Sequence, residues 1–96
     1  MKLRNVIHKG LKRFVERDSA SGLPPASVEK VRNIVTFLLD MEDVQELRVL
    51  PHWKPHQLTG DRRGTWSLTV TKNWRITFSV DEGESEIFDL NFEDYH

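Results

Sequence analysis

Apolar residues near the start of the chain fall at Ile7, Leu11, Phe14 and Val15, the three-and-four spacing of a single stripe along a helix. A second run, Val28, Val31, Ile34, Val35, Leu38 and Leu39, keeps the same period over a wider face and predicts a helix from about Ser27, a candidate N-cap, to about Met41. A face that wide suits a helix pressed against a sheet. Between the two lies "SASGLPP", residues 19–25, a loop by its Ser, Gly and Pro content. Residues 42–55, with Pro51 and Pro55, show no period and read as irregular with at most a short turn.

The period then changes from helix to strand. Trp66, Leu68 and Val70 alternate with Thr65, Ser67, Thr69 and Thr71; Trp74, Ile76, Phe78 and Val80 alternate with Arg75, Thr77 and Ser79. Lys72-Asn73 between them predicts a tight hairpin turn, Asn being tolerant of the left-handed conformation. A second turn at residues 81–84 leads to Phe88, Leu90 and Phe92, alternating with Asp89, Asn91 and Glu93. The expected fold class is α+β: two N-terminal helices packed on one face of a twisted antiparallel sheet, with the Ser/Thr/Arg/Asp face left open.

Composition adds bounds to this picture. Ninety-six residues suit one domain, and 38% hydrophobic with 30% charged residues is an ordinary globular balance. The absence of cysteine excludes disulfides and thiolate metal sites, and the lack of a long apolar run or signal-like start leads us to expect a cytoplasmic protein. The net charge of -1 is unevenly spread: residues 1–17 carry six Lys/Arg and one acid, and residues 52–78 carry five and one. Residues 79–96 hold seven acids and no Lys or Arg. Folding can therefore place a positive face on a nearly neutral chain, although a mixed solvated surface accounts for the same counts.

Candidate chemistry gathers at the end, "FEDYH". Extending the last strand's alternation puts Tyr95 on the polar face with Asn91 and Glu93, the side that also holds Arg75. Asp94 and His96 fall in the apolar phase but beyond its last large residue, at the rim. His56, just before the Gly60 to Gly64 connection, is placed to begin an edge strand. Two imidazoles, a tyrosine, a carboxylate and an arginine are the parts of a ribonuclease that works without a metal: a base for the 2'-hydroxyl, an acid for the 5'-oxygen and a cation for the phosphorane. Lys9, Arg13, Lys54, Arg62 and Arg63 are candidates to hold flanking phosphates. His8 and His52 read as ordinary surface histidines. A zinc set from His52, His56 and His96 is disfavoured because Pro55 breaks the helical i, i+4 pairing. Trp66 and Trp74 read as core anchors, and Trp53 is left open.

"HKGLKRFVE", "HQLTGDRRGTWSLTV", "NWRITF" and "FEDYH", in this order over nearly the whole chain, resemble the HigB-type toxins of the RelE/ParE toxin-antitoxin superfamily. The resemblance implies two helices on a twisted antiparallel sheet and a ribosome-dependent endonuclease that cuts messenger RNA in the decoding site, with no cofactor. It implies functional roles for His56, Arg75, Asp94, Tyr95 and His96: the histidines as base and acid, Tyr95 against the nucleotide, Asp94 orienting the site and Arg75 on the phosphate. Implied partners are a helix-turn-helix antitoxin of the HigA type, the ribosome with its message, and operator DNA through the antitoxin. Where family members commonly read His-Pro-Leu-Lys-Gly, this chain has His56-Gln57-Leu58-Thr59-Gly60, so one phosphate-contacting lysine is absent. Two other readings stand beside the nuclease: a toxin that binds a protein target such as gyrase, as in the ParE branch, and a degenerate toxin retained as an antitoxin co-repressor.

Overall fold

The structure is a computed structural model describing residues 1–95. A five-stranded sheet has the order β1-β5-β4-β3-β2, formed by β1 (Lys2–Leu3), β2 (His56–Gln57), β3 (Trp66–Thr69), β4 (Trp74–Asp81) and β5 (Glu86–Asp94). Strands β3 to β5 pair antiparallel, as their alternation predicts, and β2 adds antiparallel to β3, but β1 joins β5 in parallel, so the sheet is mixed rather than wholly antiparallel. Two residues carry too little pattern to announce a strand. Helices α1 (Lys9–Arg17) and α2 (Val28–Asp40) cover one face. Leu11 and Phe14 of α1 and Val31, Ile34, Val35 and Leu38 of α2 join Leu68, Val70, Ile76, Phe78, Ile87, Leu90 and Phe92 in one buried cluster.

Several local expectations change for physical reasons. Ile7, expected on the stripe of the first helix, is exposed and lies before it, and its N–H donates to the carbonyl oxygen of Leu90. The helix begins instead on His8, whose Nδ1 accepts from the Leu11 N–H at 3.0 Å. His8 is thus a half-buried cap, not an ordinary surface histidine: its ring meets Phe92 edge-on at 5.5 Å, and burial, aided by Arg13, holds its pKa below the usual value. Ser27 is fully buried and turns its hydroxyl back onto the Pro24 carbonyl, so it does not cap α2 with its side chain; a 3-10 turn over Pro25–Ser27 leads into the helix.

The aperiodic stretch after α2 is more ordered than its pattern suggests. Val44–Val49 and Pro51–Trp53 are 3-10 turns, the first started by a capping box between Asp43 and Glu46. Val44 and Leu47, three apart as this tighter helix requires, are buried in the core. Trp53 is buried too, its ring edge-on to Phe37 at 5.7 Å, which resolves it as an anchor. Trp66 is buried as expected; Trp74 is half-buried and stacks on Phe92 at 4.6 Å. The β3–β4 connection spans residues 70–73 rather than a two-residue turn, and Asn73 does not take a positive φ.

The largest departure from simple alternation is a bulge in β5. Ser79 pairs with Phe88 and Thr77 with Asn91, so Phe78 faces two residues, Asp89 and Leu90. Asp89 takes φ 53°, the left-handed region in which Asp is among the tolerated side chains. Asn5 clamps it: the Asp89 N–H donates to Asn5 Oδ1 at 2.9 Å and Asn5 Nδ2 donates back to Asp89 Oδ1 at 3.0 Å. The bulge resets the phase, so Ile87, Leu90 and Phe92 enter the core while Phe88 turns to the other face beneath the Arg4 guanidinium, 4.9 Å from its ring centre. It also returns Asn91 and Glu93 to register opposite Thr77 and Arg75.

Candidate active site on the open face of the sheet

Side chains directly opposite in a paired sheet share a face. His56 pairs with Ser67, Ser67 with Thr77 and Thr77 with Asn91, which sets one row across β2 to β5 on the face away from the helices. The next row is Thr69, Arg75 and Glu93. His56 therefore begins an edge strand on the open face, as its position predicts, about 10 Å from β4 at two interstrand spacings.

His56 is exposed, and its Nδ1 lies 2.9 Å from the carbonyl oxygen of Lys54. A carbonyl only accepts, so Nδ1 carries the proton and Nε2 is left as the nitrogen that can exchange one with a ligand. Lys54 presents that oxygen from a left-handed turn, φ 48°, after Pro51–Trp53. The backbone that ends the aperiodic segment thus fixes the imidazole.

At the other end of the face the centre is Glu93. Arg62 grips its carboxylate with both terminal nitrogens, Nη1 to Oε1 at 2.8 Å and Nη2 to Oε2 at 2.6 Å. Thr77 Oγ1 donates to Oε2, and Arg75 Nη2 reaches Oε1 at 3.5 Å. Four donors fill the four acceptor positions of one carboxylate. Arg75 in turn lies over the Tyr95 ring, its guanidinium carbon 5.3 Å from the centroid, and the Tyr95 hydroxyl is 2.9 Å from Thr69 Oγ1. The Tyr95 N–H donates to the Asn73 carbonyl at 3.0 Å, which ties the end of the chain to the β3–β4 connection. Among the described residues, two buried polar atoms on this face, Arg75 Nε and Ser67 Oγ, have no hydrogen-bond partner.

The Arg62 fork, reinforced by Thr77 and Arg75, holds the Glu93 carboxyl at about 2, well under the ordinary 4.5. A depressed folded-state pKa contributes stability that is complete above the unfolded value and is lost as pH falls through the folded one. This side chain is 18% exposed, so the contribution is on the order of 3 kcal/mol at neutral pH. Acid unfolding followed by circular dichroism from pH 5 to 2 should show wild type losing stability steadily across that window. Glu93→Gln, which has no such proton to bind, should lose correspondingly less; parallel curves would contradict the ion-pair assignment.

Of the residues singled out in sequence, Arg62, Arg75, Tyr95 and His56 share this face. Asp94 is exposed at the end of β5, opposite Trp74. His96 lies outside the described residues. Lys9 and Arg13 belong to α1, in the helical layer on the other side of the sheet, and are not brought to the Arg75–Glu93 cluster; Lys54 and Arg63 are exposed on the segments flanking β2 and the 3-10 turn Gly60–Arg62. Thr59, exposed, begins that turn. Among the described residues no group of three His, Asp or Glu side chains is arranged to hold a metal. Sequence reasoning did not single out Glu93, Thr77 or Thr69, although their strand phase with Arg75 and Tyr95 was the available signal.

A family described as the RelE-like toxin of the type II toxin-antitoxin system HigB matches residues 4–96. The chain belongs to this HigB-like toxin family. The endoribonuclease HigB of Proteus vulgaris is 39% identical over 94 residues, covering 98% of this chain and 99% of that protein. Solved structures share the fold at lower identity. YafQ from E. coli strain BL21(DE3) superposes with TM-score 0.61 at 15% identity, covering 98% of this chain and 90% of that one. The RelBE2 toxin-antitoxin complex of Mycobacterium tuberculosis gives 0.53 at 18%, covering 97% and 95%. No helix of this HigB-like chain, among the described residues, is long and apolar enough to cross a membrane.

Proposed function

We propose that the protein is a ribosome-dependent endoribonuclease that cuts messenger RNA in the decoding site and so halts translation in the cytoplasm. The observation that carries this reading is the common face of His56, Arg62, Arg75 and Tyr95, with a buried Arg75 Nε that has no acceptor among the described residues. In the proposed reaction the 2'-hydroxyl attacks its adjacent phosphorus and the bond to the 5'-oxygen breaks, leaving a 2',3'-cyclic phosphate and a 5'-hydroxyl. A proton must leave the first oxygen and another reach the second. His56, through Nε2, and His96 divide these transfers. Arg75 takes the charge that builds on the phosphorane oxygens, where a fixed guanidinium acts without reorganising. Tyr95 offers a ring for the nucleotide base, Asp94 orients the rim, and Arg62, Arg63 and Lys54 hold flanking phosphates. No step calls on a metal. The protein partner is a helix-turn-helix antitoxin of the HigA type, through which the pair reaches operator DNA.

The test is direct. Purified protein added to translating ribosomes should yield message ends at a fixed position within codons, and His96→Gln should abolish them. Message left intact by the wild type would overturn the reading.

A further inference from the structure

Glu93 is an odd neighbour for a phosphate-binding arginine. It takes both arms of Arg62, the geometry in which a guanidinium grips a phosphate as readily as a carboxylate. Thr77 and Arg75 complete its shell, while the buried Nε of Arg75 finds no acceptor among the described residues. A strut built only for stability would satisfy that donor, because a buried N–H left unpaired is costly. The cluster is instead complete around Glu93 and one acceptor short around Arg75.

We infer that Glu93 is an internal stand-in for a substrate phosphate, and that RNA engages this face by taking Arg62, together with Arg75, away from its carboxylate. The inference rests on the nuclease reading and adds regulation of the same site. An anion already seated in the fork lowers the affinity for free RNA and leaves tight engagement to a substrate presented with several phosphates at once. Arg62 stands on the short Gly60–Arg62 turn between two positive-φ glycines, Gly60 at 72° and Gly64 at 90°, and its side chain is 44% exposed, so it can change partners without disturbing the core. Glu93 is anchored on β5 and remains in place.

The experiment uses a short 2'-O-methyl RNA, which lacks the attacking hydroxyl and so reports binding alone, measured by fluorescence anisotropy over a salt series. Glu93→Gln should bind it roughly three- to tenfold more tightly than wild type, with a steeper log–log salt slope, because in the wild type the carboxylate uncovered on binding takes back part of the cation release. Asp61→Asn makes the same charge change at an exposed acid outside the shell and should gain much less. In the wild type, with no substitution to disturb folding, the Glu93 carboxyl carbon resonance at neutral pH should move on adding the RNA as the arginines leave it. Equal or weaker binding by a folded Glu93→Gln, an equal gain from Asp61→Asn, or an unmoved resonance in the complex would each overturn the inference. If the wild type cuts message on ribosomes while these results fail, only the stand-in role is lost; if it neither binds this RNA nor cuts, the nuclease reading falls and takes the inference with it.

Discussion

His56→Ala should slow message cleavage by about 10²- to 10⁴-fold in kcat, the range general acid–base catalysis supplies, with little change in KM. The expectation follows from one hydrogen bond. With Nδ1 fixed as a donor to the Lys54 carbonyl, proton exchange with RNA falls to Nε2, and alanine offers no substitute. The cost to folding should stay at about 1 kcal/mol or less, because the ring is exposed and loses a single backbone contact. A thermal melt close to wild type beside a collapsed single-turnover rate is therefore the expected pair of results. If His56 and His96 serve the two ends of one reaction, the double variant should lose little beyond the worse single variant, since groups acting as a unit are not additive. Cleavage that persists undiminished in His56→Ala would remove the imidazole from the chemistry and leave the face a binding surface, as a toxin acting on a protein target would require.

The two long helices and three long strands were legible because each buries one side, and burial writes its period into the sequence: three and four for α1 and α2, two for β3, β4 and β5. The open face was legible by the same rule, since Arg75 and Tyr95 hold the polar phase across β4 and β5. What escaped has a common cause, dependence on partners distant in sequence. β1 exists because β5 offers it an edge, and two residues cannot state that alone. Phe88 was expected in the core with Leu90, but the Asp89 bulge, held by Asn5 from the other end of the chain, moves that place to Ile87. His8 looked like surface because its role as a cap depends on where α1 begins. Glu93 held the right phase, yet its meaning depends on Arg62, a loop residue 31 positions earlier whose direction no periodicity encodes.

Phe78→Ala should be the most damaging change to the fold, about 3–5 kcal/mol, out of a total of about 5–15 kcal/mol for a domain of this kind. Phe78 is fully buried at the middle of β4, paired with Trp66 on one side and set against the bulge on the other, so the cavity cannot close by a small shift of one loop. For a chain of 96 residues the melting temperature should fall on the order of 20 °C. Two further truncations turn this into a test of the bulge. Strict alternation makes Phe88 a core residue and Ile87 its exposed neighbour, whereas the reset phase predicts that Ile87→Ala costs about 2–5 kcal/mol and that Phe88→Ala, half-buried under Arg4, costs clearly less. Denaturant midpoints for the two variants decide between them, and a larger loss at Phe88 would place the bulge elsewhere. The consequence reaches the open face as well. Thr77 and Arg75 alternate with Phe78 and Ile76 along β4, and the same bulge puts Glu93 and Asn91 opposite them. Packing on the hidden side of that strand therefore sets the alignment of the arginine, the hydroxyl and the carboxylate on the exposed one.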